Sequence, residues 1–149
     1  MTLEGYFPNL LEAPYQLTSP ASAHHNCIAW PARDQERWWW PDPMGQGYWP
    51  TGVPREQTLS AFEQAYGTLG FARCEDAELE PGFVKIALYA RGLVPTHAAR
   101  QLPQGRWTSK LGPLEDIEHD TLHALEGDWY GEVVLVLKRR VEQDESSMG

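Results

Sequence analysis

From Phe83 onward the chain is cut into short apolar runs by turn residues, and this punctuation limits the fold more than any other feature. Phe83–Ala90, Thr96–Leu102, Arg106–Leu111 and Tyr130–Leu137 each have the length and the β-branched or aromatic content of a strand. Pro103-Gln104-Gly105 reads as the turn joining the second run to the third. Upstream, Leu59, Phe62, Tyr66 and Leu69 fall on one helical face between Glu56 and Leu69, with Gly70 as the stop. A further helix is predicted to open at Asn26-Cys27, because Asn caps helices well and Ile28-Ala29-Trp30 follows as an apolar turn. Ile117–Leu125 reads as partly helical, capped by Asp120 and stopped at Gly127. Residues 1–25, rich in Pro, Ser and Thr, read as an extended N-terminal arm, and 142–149 as a disordered tail. Helices first and strands second predict one α+β domain over residues 1–141, with N-terminal helices packed on a small antiparallel β-sheet.

A chain of 149 residues is one domain's worth and can bury a core without staples. Its 12 Lys and Arg against 21 Asp and Glu leave a net charge of −9, which excludes a nucleic-acid backbone as partner. No window holds the 18 apolar residues of a membrane span, and Met1–Gly5 lacks a basic secretory n-region, so no membrane and a cytoplasmic location are expected. Two cysteines without CxxC spacing make neither a disulfide framework nor a zinc site, so no metal and no cofactor are expected.

Of the two thiols, Cys27 is the candidate nucleophile. A cysteine in the first turn of a helix meets partial positive charge and free N–H groups, which favour thiolate and can hold an oxyanion. Cys74 precedes Glu75, Asp76 and Glu78, whose charges oppose a thiolate, and reads as structural. His97, at the start of a strand, is the natural base, with His119 as its rival and His24, His25 and His123 on less rigid ground. If the glycine turn sets Leu102 opposite Arg106, His97 faces Leu111 and Ser109 lies diagonally beside it. A one-residue slip brings Lys110 there instead. Asp116 and Glu118 are the carboxylates that would fold back behind the ring. The run Trp38-Trp39-Trp40-Pro41 cannot all face one core, and reads either as an apolar wall over the cysteine or as cover for the sheet.

Asn26-Cys27-Ile28-Ala29-Trp30, Trp38-Trp39-Trp40-Pro41, Pro95-Thr96-His97-Ala98-Ala99 and Arg106-Trp107-Thr108-Ser109-Lys110-Leu111-Gly112 together resemble an uncharacterised family of small bacterial proteins. More distantly the layout is similar to papain-like cysteine peptidases and amidases of the compact cell-wall endopeptidase type. That resemblance implies a papain-like fold, a thiol nucleophile at Cys27, a base at His97 and a third polar residue at Ser109. Asn26 and Ile28 stand where those enzymes carry Asp and Ser, and Ser109 where they carry His, Asn, Gln or Asp. Asn26, Trp30, Trp40, Trp107, Lys110 and His119 are the matching candidates for substrate or oxyanion binding. Two readings follow. One is a cysteine hydrolase acting on a peptide, isopeptide or side-chain amide, with a peptide or protein substrate. The other is a catalytically degenerate binding or immunity-type module using a tryptophan-lined surface.

Overall fold

The computed structural model describes residues 3–19, 27–33, 37–111 and 116–141. A helical turn, α1 (Leu3–Tyr6), and a 3-10 turn (Pro8–Leu11) lead into strand β1 (Tyr15–Ser19). There follow α2 (Leu59–Gly67), β2 (Ala72–Arg73), β3 (Phe83–Arg91), β4 (Val94–Gln101), β5 (Trp107–Lys110), β6 (Asp116–His119), a 3-10 turn (Leu122–Leu125) and β7 (Glu132–Arg140). The strands form one seven-stranded sheet in the order β1-β6-β5-β4-β3-β7-β2, and every pairing in it is antiparallel.

The β3–β4 hairpin is the centre of the molecule. Val84 to Ala90 is buried without interruption, as a strand covered on both faces must be. Ile86, Leu88 and Ala98 project into one core with Phe62 and Tyr66 of α2, Trp39 and Trp49. Ala87, Tyr89 and Ala99 project into the other, where Phe7, Leu10, Trp107, Ile117 and Leu125 cover them. The helix starts where Thr58 caps it, its side chain accepting from the Ala61 amide at 3.1 Å.

This architecture overturns the expected papain-like α+β layout of helices on a small sheet. The fold is mainly β, and among the described residues only α2 exceeds a single turn. Two local causes account for the difference. Cys27–Arg33 is a chain of turns, closed by Ala32 N–H to Ala29 O (3.1 Å) and Arg33 N–H to Trp30 O (2.9 Å), and not a helix. Pro31 sits where an α-helix would need an N–H and where its ring would strike the Cys27 carbonyl. The segment assigned to a helix at Ile117 instead begins as β6, which pairs with β5 on one side and with β1, from the arm, on the other. No helix among the described residues is long and apolar enough to cross a membrane.

After the second 3-10 turn, Gly127 and Gly131 exchange backbone hydrogen bonds of 3.0 and 2.8 Å and close the loop that carries Tyr130. Gly131 has a φ of 75°, and a Cβ built on it would lie 2.0 Å from the Ala90 carbonyl oxygen. Gly131→Ala is therefore expected to cost at least about 2 kcal/mol, read as a lower midpoint in urea unfolding. An unchanged midpoint would show that this loop does not lean on β3.

Candidate active site

The site is built where β4 departs from regular pairing. Tyr89 pairs with His97 and Ala90 with Pro95, so Thr96 is an extra residue in β4, a bulge. Thr96 Oγ1 donates to the Tyr130 carbonyl at 2.6 Å, fixing the bulge against the Gly127–Gly131 loop. The His97 ring stacks on Tyr130, with centroids 4.1 Å apart and planes within 5°, and meets Tyr89 edge-on at 5.2 Å.

The ring hydrogen bonds run in one direction. His119 Nδ1 lies 2.9 Å from the Thr121 carbonyl, which accepts only, so Nδ1 carries the proton and Nε2 is a lone pair. Ser109 Oγ, 2.8 Å from that Nε2, donates to it, and its oxygen accepts from His97 Nε2–H at 3.0 Å. His97 Nδ1 is then a lone pair too, buried and without a hydrogen-bond partner. Burial holds the His97 imidazole well below its usual pKa and that of His119 near 4, so both rings are neutral at pH 7.

Cys27 lies on the first core, 8% exposed, and its Sγ donates to the Thr96 carbonyl at 3.6 Å. Leu102 N–H donates to Arg106 O, so the even-numbered backbone groups of β4 face β5. β5 pairs with β4 only at Arg100–Thr108 and Gln101–Trp107. The thiol thus occupies the unpaired part of that edge, beside the Thr96 carbonyl and the Ala98 amide. Tyr66 of α2 holds the segment down by donating to the Ile28 carbonyl at 2.6 Å. Burial pushes the thiol pKa up to about 12, with the backbone amides and the Lys110 charge opposing it.

The expected set is brought together in part. His97, Ser109 and His119 form one connected group, and the strand register is the one the glycine turn predicts. No hydrogen bond joins Cys27 to His97; the thiol rests on the carbonyl of the residue before it. Cys27 does not open a helix, and its sulfur is not at an open cleft. The carboxylates expected behind the ring pair elsewhere, Asp116 with Lys110 and Glu118 with Arg106. Trp30 donates from Nε1 to Thr108 Oγ1 at 3.0 Å and, with Arg33, Arg100 and Glu118, lines a cleft of about 850 Å³. Trp40 packs edge-on against Phe62 and against the core cluster that includes Cys27, and Trp107 belongs to the second core. Of the tryptophan run, Trp39 is core and Trp38 is 40% exposed. Asn26, His24 and His25 lie outside the described residues. Cys74 donates to the Asp76 carbonyl, and His123 is exposed. Sequence reasoning missed Tyr130, whose stacking on His97 has no local signature, and the role of Thr121 as the end of the relay.

Because folded His119 resists protonation until about pH 4, the unfolded chain alone binds that proton as pH falls below 6.5. Stability is fully present above pH 6.5 and declines toward pH 4, by about 3 kcal/mol from this ring, with His97 acting in the same direction. Urea midpoints measured between pH 7.5 and 4 should fall accordingly; a flat profile would mean the rings are not buried neutral.

The comparison with curated proteins finds no match. The comparison with solved structures finds none either. Among protein families, one described as a domain of unknown function, DUF7689, matches residues 16–138, a span that takes in β1 through most of β7 and every described residue of the site. The chain belongs to that family.

Proposed function

We propose that the protein is a cysteine-dependent hydrolase of amide bonds in which Cys27 is the nucleophile and His97 Nδ1 the base. The observation that carries the reading is the directional relay Thr121–His119–Ser109–His97, which leaves a single unengaged lone pair, on Nδ1. A base held in one tautomer by a chain of fixed partners is what proton abstraction requires. Cys27 docks on the peptide that joins Thr96 to His97, so the thiol and the base share one short stretch of β4.

With the thiol pKa near 12 and the imidazole neutral, the pair rests as thiol and imidazole, not as an ion pair. The chemistry is then general-base catalysis. The thiol leaves the Thr96 carbonyl, Nδ1 takes its proton as sulfur attacks the substrate carbonyl, and the imidazolium returns that proton to the leaving amine. Ser109 accepts from Nε2–H throughout and keeps the ring oriented. The cleft beside Trp30 has both apolar and charged walls, and a peptide or protein segment suits it.

A second reading is a non-catalytic binding module that uses this cleft and the exposed Trp38. It is favoured by one observation, the missing hydrogen bond between thiol and imidazole.

Iodoacetamide separates the two. In a Cys74→Ser background, a thiol of pKa 12 acting alone is only about one part in 10⁵ thiolate at pH 7 and should be almost inert. Base assistance makes it react, and His97→Gln should then slow alkylation about 100-fold, with Ser109→Ala costing about tenfold. An inert Cys27 that His97→Gln leaves unchanged would end the hydrolase reading.

A further inference from the structure

We propose that Lys110 is a positioning residue for the thiol reaction, its buried ammonium serving as the counter-charge to the thiolate that forms when His97 takes the Cys27 proton. This inference rests on the Cys27–His97 reading above. Arg100 pairs with Thr108, and two residues further along each strand, on the same face, stand Ala98 and Lys110. The strands have parted there, and the thiol sits on the β4 side of the gap, at the Thr96 carbonyl. Lys110 rises from the β5 side of the same gap.

Lys110 is completely buried and stands opposite Asp116 in β6, with Nζ 3.5 Å from Oδ1. That oxygen makes no hydrogen bond, so the attraction between the two is Coulombic. A buried ion pair is seldom more stabilising than apolar side chains of the same shape, so its presence beside a thiol calls for a use. Besides the imidazole of His97 in β4, the titratable groups among the described residues that couple to the sulfur come from three elements: Tyr66 from α2, Tyr130 from the glycine-closed loop and Lys110 from β5. Burial keeps both phenols neutral. Of these three groups Lys110 alone carries a charge, and that charge favours the thiolate.

The step balances as a proton transfer. The S–H bond breaks, the Nδ1–H bond forms and the electron pair stays on sulfur, giving thiolate and imidazolium with the ammonium beside the new anion. When iodoacetamide is the electrophile, the S–C bond forms as the C–I bond breaks and iodide leaves. The imidazolium then releases its proton to water.

The test follows the alkylation rate of Cys27 by iodoacetamide against pH, by intact mass, in the Cys74→Ser protein. Lys110→Met should slow alkylation about tenfold at pH 8 and move the profile upward, and Lys110→Arg should restore most of the rate. Since Lys110→Met leaves Asp116 buried without its cation, the double variant Lys110→Met/Asp116→Asn removes the pair whole and should show the same displacement in a folded protein. A double-variant profile superposed on the parent's, while His97→Gln still slows alkylation, overturns the role of Lys110 and leaves the nucleophile–base reading standing. A parent profile that His97→Gln does not move overturns that reading itself.

Discussion

Burial of the β3–β4 hairpin on both faces is the constraint on which the rest of the structure depends. A strand covered on one side tolerates polar residues on the other, but β4 has no such side: His97 and Arg100 sit beneath packed layers on opposite faces. Each buried polar group must then find its partner inside the protein. Arg100 reaches the Pro31 carbonyl at 2.6 Å, which pins the Cys27–Arg33 turn against the sheet. His97 reaches Ser109, which brings β5 and β6 into a common hydrogen-bonded group. The bulge at Thr96 belongs to the same account. Pro95 has no N–H for the ladder, and the register slips by one residue beside the Thr96 carbonyl on which the thiol rests.

The candidate site is thus assembled from strands, with one turn segment laid against them. Its precision comes from pairing across β4, β5 and β6 and from the aromatic pair Tyr89 and Tyr130 around the imidazole. The thiol's pKa rises where the sequence suggested a fall because burial disfavours the thiolate by more than the backbone amides and the Lys110 charge favour it. In the proposed function, reactivity in such a place comes from the base and from a nearby cation.

Much of this was legible in the residues. The apolar runs locate β3, β4, β5 and β7 to within a few residues, and the Pro103-Gln104-Gly105 turn yields the observed Arg100–Thr108 register. The shared face of His97 and Ser109 follows from that register alone. The outer strands were not legible, for a physical reason. β6 reads Asp-Ile-Glu-His, and its charged positions look solvated until Lys110 is found opposite Asp116 and Arg106 within reach of Glu118. β1 becomes a strand only because β6 offers it an edge, a contact about a hundred residues away in sequence. Asn26-Cys27-Ile28-Ala29-Trp30 carries a fair helix start, and Pro31 defeats it. The weight of Pro31 was there to be read; the long-range pairings were not.

One hydroxyl hydrogen on Ser109 joins two imidazoles, and a serine has only one to give. Because it points at His119, His97 must be the donor on the other side; were it to turn toward His97, both rings would have to exchange tautomers together. The histidines therefore behave as one titrating unit whose two members cannot be set independently. A perturbation at the Thr121 carbonyl, at the far end of β6, reaches the lone pair in β4 through the reversal of a single O–H bond and needs no movement of the backbone.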